Sequence, residues 1–476
     1  MKRLLILICV ILNFSITARS SELRILIDER IELTSIAFRL ADAQEYVTDC
    51  APTYLKEVDD YFSKYKNHPL IKYIKELRDN EQFNVGYGLV ASSAFLFDIK
   101  HGHIKPNLDE RKDLSIVYHY WPEECMLKYL KLLDSFYVDT KFERFWNKSV
   151  EFRDRTKEES EKVIRTNMTN MNWFDEFFSC TPETVNIYLA MANGLSNYSL
   201  GSLNIFPDNK FVIVIGCNCE ADRAPAINQS IMNVVPHELC HSYGKHLSKS
   251  YLSKCIDSFK IIYPDICQQT KLYGYGDKSP KTAASESFAE LFADMYLTYI
   301  GYQFVGYKIA EDENRGYIWM SDAIRFMQNF TENRDEYPSI NEFMPQLIAY
   351  YNELPGRWDS LMKKFAARTP YVESTYPAKN STVSADIKEL RVTFSHPMID
   401  AFGKRKLNGY ENVVFQGVQH SPDNRTIIIP LLKPLEKGKT YGFAIPAAML
   451  VSADTYHRVK EDYQFIFKTE GDRQID

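Results

Sequence analysis

His237 and His241 stand four residues apart with Glu238 beside the first, in the stretch Val-Val-Pro-His-Glu-Leu-Cys-His-Ser-Tyr-Gly from Val234 to Gly244. On an α-helix positions i and i+4 fall about 40° apart on one face, so two imidazoles at this spacing can share one ion. To use the pair in this way the chain must fold so that a helix turns this face to a cleft and buries its back, to which Leu239 belongs. Glu238 then flanks the ion, where a carboxylate can take a proton from an attacking water and return it to a leaving amine. Asn233 reads as the N-cap of that helix. Val234, Val235 and Pro236 would form its first turn, where proline is harmless because the N–H groups there have no intrahelical partner.

A tetrahedral catalytic zinc needs a third protein ligand and leaves its fourth position to water. In the metzincin pattern H-E-x-x-H-x-x-G-x-x-H, Gly244 is in place, but position 247 is Leu247 and His246 comes one residue early. The gluzincin pattern instead draws a glutamate from a later helix, and Ser285-Glu286-Ser287-Phe288-Ala289-Glu290 resembles it. Ser279 and Pro280 make an N-cap and N1 pair for that helix, and Phe288, Leu291, Phe292 and Met295 give it an apolar face. By the resemblance, Glu286 is the third zinc ligand. Glu290, one turn on, is then the carboxylate that holds the Nδ1 proton of a ligating histidine and is the second choice as ligand. The sequence departs from the family in three ways. Ser285 replaces the usual asparagine, Glu290 replaces aspartate, and 45 residues separate His241 from Glu286. Tyr273, Tyr275 and His246 are candidates to steady a developing oxyanion, and their positions do not choose among them.

Lys2 and Arg3 precede an apolar run from Leu4 to Phe14, with Ala18 and Ser20 at small-residue positions, so residues 1–20 read as a secretory signal peptide. The expected location is secreted or periplasmic, with no transmembrane span after signal removal. Loss of Lys2, Arg3 and Arg19 takes the formal charge from −6 to −9, which argues against nucleic acid as a partner. Eight of the nine cysteines remain, an even count suited to an oxidising compartment. Cys255 and Cys267 are placed to close a short loop, whereas Cys240, turned from the metal face, reads as a buried thiol or disulfide partner.

A chain of 476 residues should hold more than one domain. From Glu22 to about Cys180 the pattern is mostly helical. Leu23–Ile27 opens it as a strand, Leu33, Ile36, Ala37 and Leu40 follow at helical spacing, and segments 54–65 and 71–77 continue the helical signal. Asn186–Met191 and Lys210–Gly216 read as strands, and an edge strand near the motif helix is where a peptide could add by main-chain hydrogen bonds. Residues 366–377, with Thr369-Pro370 and Tyr376-Pro377, read as a linker. Beyond it, short strands at 390–394, 412–415, 426–430, 440–445 and 463–468 predict a β-sandwich. The run Val392-Thr393-Phe394-Ser395-His396-Pro397-Met398 resembles bacterial Ig-like modules. Residues 27–41 and 61–70, taken with the histidine motif, resemble a family of secreted zincin-like proteins of gut Bacteroidetes.

The expected fold is an α+β zincin-like metallopeptidase domain over residues 21–365, largely helical with a small mixed sheet, followed by an all-β Ig-like sandwich over 378–476. The expected function is hydrolysis of peptide or protein substrates, with Zn2+ held by His237, His241 and Glu286, Glu238 as general base and Glu290 behind the ligands. The alternatives are a non-catalytic metal-containing binding protein and a zinc hydrolase of a non-peptide amide or ester. Oligomeric state is not encoded in any motif.

Overall fold

The structure is a computed structural model that describes residues 21–83, 85–217, 231–269 and 279–471. The signal-peptide reading of residues 1–20 and the candidates Tyr273 and Tyr275 lie outside the described residues. A largely helical region is followed by a β-sandwich-like region. Among the described residues no helix is long and apolar enough to cross a membrane.

The described residues fall into two compact units, one within 1–164 and 170–228 and the other within 165–169 and 229–476. The C-terminal sandwich falls in the same unit as the helices from Ile231 onward.

In the first unit, strands Glu22–Leu26, Thr184–Ala190 and Lys210–Gly216 pair in parallel, and Asn197–Ser199 adds antiparallel at the edge. Thr184–Ala190 and Lys210–Gly216 are apolar and buried almost end to end, as strands covered on both faces must be. Helix Glu29–Leu40 begins where Asp28 accepts a hydrogen bond from Arg30 N, and it buries Leu33, Ile36, Ala37 and Leu40. It also buries a carboxylate. Glu32 Oε1 accepts from the backbone N–H groups of Met191 and Ala192 at 2.5 and 3.3 Å, and Oε2 accepts from Tyr54 Oη at 2.9 Å. Burial outweighs these bonds and pushes the Glu32 carboxyl up to about 7.

The second unit holds the motif helix (Ile231–Tyr243), helix Ile256–Gln269, the glutamate helix (Pro280–Tyr299), the lysine helix (Val305–Asn314) and the long helix Ile340–Arg368. Ser279 caps the glutamate helix by accepting from Thr282 N, with Pro280 in its first turn. Ser339 and Glu342 form a capping box on the long helix. The motif helix differs from expectation. It already runs at Ile231, so Asn233 is not its cap: Asn233 Oδ1 is buried with no hydrogen-bond partner, and Pro236 lies inside the helix. A proline there deprives Met232 O of its usual donor.

The sandwich has two four-stranded sheets. One runs in the order Arg405–Lys406, Thr440–Ile445, Tyr463–Thr469, Thr382–Val383, and the other Gln419–His420, Thr426–Pro430, Glu389–Phe394, Val372–Tyr376. Leu390, Val392 and Phe394 alternate inward against Ile427, Ile429, Phe443, Phe465 and Phe467, the period-two pattern of a half-buried strand. Residues 366–377 are not a linker. Helix Ile340–Arg368 runs through their first three positions, and Val372–Tyr376 pairs with Glu389–Phe394. The prolines that suggested a break stand at strand ends, where a missing N–H costs no ladder bond. Nor is 412–415 a strand; Glu411 and Phe415 make single bridges instead. Cys255 keeps a thiol whose Sγ lies 3.5 Å from Leu252 O, so it forms no bridge to Cys267.

Candidate metal centre

The motif helix packs against the glutamate helix, and this pairing brings three donors together. His237 Nε2 lies 3.1 Å from His241 Nε2 and 3.4 Å from Glu286 Oε2, and His241 Nε2 lies 3.5 Å from the same oxygen. The imidazole rings stand nearly perpendicular, 88° apart, with both Nε2 atoms turned inward. Tetrahedral zinc with bonds of about 2.0–2.1 Å spaces its ligand atoms about 3.3–3.4 Å apart, which the three separations bracket. Calcium and magnesium take oxygen shells, which two imidazoles do not supply.

His237 is buried and the other two donors are half-buried, with side-chain exposures of 11% for His237, 22% for His241 and 17% for Glu286. Among the described residues they form the single cluster of at least three His, Cys, Asp or Glu ligand atoms close enough to share an ion. Glu238 is buried on the same helix, next to His237. Cys240 is a buried free thiol and belongs to no ligand cluster.

Glu290 stands behind His237. Its Oε2 is 3.2 Å from His237 Nδ1, an ion-pair approach that is off-line for a straight hydrogen bond. Burial alone would disfavour a charged imidazole at His237, but the neighbouring Glu290 and Glu286 carboxylates hold its pKa well above the usual histidine range. Burial likewise opposes ionisation of Glu286, and the imidazoles of His241 and His237 overcome it, holding that carboxyl well below its ordinary value.

Sequence reasoning missed the residues that hold Glu290. The lysine helix sends Lys308 Nζ to within 2.6 Å of Glu290 Oε2, and Arg315, just past its end, places an Nη atom 2.8 Å from Oε1. Asp312 pairs with both cations, and Asp294 lies 3.5 Å from Lys308 Nζ. Lys308, Glu290, Asp294 and Asp312 are all buried. Burial raises the Glu290 carboxyl, but Arg315, His237 and Lys308 together hold it well below its ordinary value. Asp294 goes the other way, pushed far up by burial with Asp312 and Glu290 adding to it. Carboxylates and cations thus stand side by side in one largely buried group, which is how charges are tolerated in a low dielectric. Of the oxyanion candidates, His246 is turned elsewhere, with Nε2 2.7 Å from Asn341 Oδ1 on the exterior.

The model of a family described as a domain of unknown function, DUF4932, matches residues 23–350. The chain belongs to the DUF4932 family. All five candidate residues fall inside the DUF4932 match, which also spans both compact units up to residue 350. A second model, described as a bacterial Ig-like domain, matches residues 366–469, the sandwich that follows the DUF4932 region. No curated protein matches this DUF4932 chain. Among solved structures, it is similar to CopC from Methylosinus trichosporium OB3b, 15% identical over 22% of this chain and 99% of CopC, with a TM-score of 0.18. It is also similar to the S-layer protein rSbsC(31-844), 17% identical over 53% of this chain and 35% of that one, with a TM-score of 0.19. Likenesses this slight carry no argument about the DUF4932 region.

Proposed function

We propose that this protein is an exported, zincin-like zinc metallopeptidase in which His237, His241 and Glu286 hold the metal and Glu238 handles the proton. The observation that carries the reading is the triangle of His237 Nε2, His241 Nε2 and Glu286 Oε2, with edges of 3.1, 3.4 and 3.5 Å. Structural zinc sites close the shell with four protein ligands, whereas catalytic sites use three. Three donors, two of them half-buried, gathered with no fourth among the described residues support the catalytic kind.

Bound zinc would polarise the scissile carbonyl and acidify the attacking water. Glu238 would accept the proton of that water and deliver it to the leaving nitrogen. Glu290 would hold the Nδ1–H of His237, fixing the tautomer that presents Nε2 to the metal. A structural site has no use for an acid–base carboxylate beside its ligands, so the placement of Glu238 also favours hydrolysis over a binding role. The exported location rests on the charged, apolar and small-residue pattern of residues 1–20.

The test is mass-spectrometric profiling of a diverse peptide library incubated with zinc-loaded protein, with Glu238→Gln as the matched control. Cleavage by the wild type alone supports the reading. Identical product profiles from both proteins would remove it.

A further inference from the structure

The sandwich is fastened to the same helix that supplies the cations behind the metal ligands. Glu313, one residue after Asp312 on the lysine helix, is fully buried. Its Oε2 accepts from His457 Nε2 at 2.7 Å and from Arg368 at 2.8 Å, and its Oε1 accepts from Ser321 N at 3.0 Å. His457 belongs to the sandwich and is itself buried, with Nδ1 2.9 Å from Thr455 O and its ring 5.6 Å from that of Phe365. Arg458 pairs with Glu311 at 2.9 Å, and Thr455 Oγ1 donates to Arg368 O at 2.7 Å. Tyr456 closes over the start of the same helix, so near that a Cβ on Gly306 would lie 3.2 Å from its ring.

One ten-residue helix thus has two charged attachments. Lys308 and Asp312 belong to the cluster around Glu290, while Glu311 and Glu313 hold the 455–458 loop. A buried carboxylate with three donors is costly to leave unpaired, so the loop fixes the position of the helix rather than resting on it. We propose that the Ig-like domain is a working part of the metal centre: its 455–458 loop locks the lysine helix, so that Lys308 and Arg315 hold Glu290 against His237. This rests on the metal reading given above. Lys308, Arg315 and His457 act through other residues and are positioning residues.

The experiment measures zinc affinity of the full chain by competition with a chromophoric chelator, beside thermal unfolding, so that it does not depend on knowing a substrate. Lys308→Met should raise the zinc dissociation constant about 10- to 100-fold, the usual effect of losing support behind a metal ligand. His457→Ala should raise it about two- to thirtyfold. His457→Gln, whose amide can still donate to Glu313, should stay near the wild-type value. Val392→Ala, in the sandwich core away from the loop, should lower the unfolding temperature and leave zinc affinity unchanged. Wild-type affinity in His457→Ala would overturn the proposal while the metal reading stands, as would an equal loss in Val392→Ala. A wild-type protein that binds no zinc would end both.

Discussion

Glu290 Oε2 meets Nδ1 of His237 at 3.2 Å, on the edge of the ring opposite the nitrogen that faces His241 and Glu286. The two nitrogens of His237 therefore face different groups, one the candidate donors His241 and Glu286 and the other a carboxylate held by two cations. Glu290→Gln keeps an oxygen near Nδ1 but removes the charge. Its zinc dissociation constant should rise about tenfold or more by chelator competition, and an unchanged value would show that Glu290 serves only the fold.

Metal retention and turnover should separate cleanly. Purified Glu238→Gln should carry as much zinc as the wild type by elemental analysis while hydrolysis drops by at least about a hundredfold. His241→Ala and Glu286→Ala should lose the metal itself. Zinc retained at full stoichiometry by Glu286→Ala would move the third ligand elsewhere.

Glu32 predicts a pH dependence. Its folded pKa of about 7 lies above the unfolded value of 4.5, so between these values the folded state binds more protons than the unfolded state. Stability from this group is therefore full below pH 4.5, falls as pH rises through 7 and is flat beyond, a loss of about 3 kcal/mol in all. Glu32→Gln should abolish this fall, so that in urea unfolding its stability relative to the wild type rises from pH 4.5 to pH 8. Parallel stability curves would refute the assignment.

Gly194 sits at φ +71°, and a Cβ there would lie 2.2 Å from Glu45 O. Gly194→Ala should destabilise the first unit by about 2–5 kcal/mol, from left-handed strain and backbone collision together. Gly102, at φ +74° with open space around it, gives the comparison. Gly102→Ala should cost only about 1–2 kcal/mol, and equal losses in denaturant titrations would show that the collision is relieved.

The residues of the candidate site were legible because each sits in a local pattern. His237 and His241 share a helical face by spacing alone, and Glu286 and Glu290 follow a capping pair and an apolar stripe that mark their helix in advance. Lys308 and Arg315 were not legible, since they reach Glu290 from 18 and 25 residues further on and no periodicity ties them to it. Asn233 was misread because proline three residues later is the ordinary sign of a first turn, and only packing reveals that the helix starts earlier. The break assigned to 366–377 failed for a related reason. Proline before a strand and proline in a linker look alike until the pairing of Val372–Tyr376 is seen. Glu32 drew no attention as one charge among apolar neighbours, although Ile31, Leu33, Ile36 and Phe38 leave that helix no solvent face to put it on.

Helix Ile340–Arg368 has a bearing on how such a protein can be rearranged over time. The DUF4932 match stops at residue 350, but the helix continues for about five more turns, and Tyr351, Leu354, Leu361 and Phe365 on that stretch are buried. A recombination point placed between the two family matches would cut this helix, which runs on through Pro355, and expose its apolar side. Any exchange of the C-terminal module that leaves a folded product must therefore carry the whole helix with one partner, together with a loop able to receive Glu313. Within this chain the module is joined to its neighbour by a helix that enters both family regions, not by a free tether.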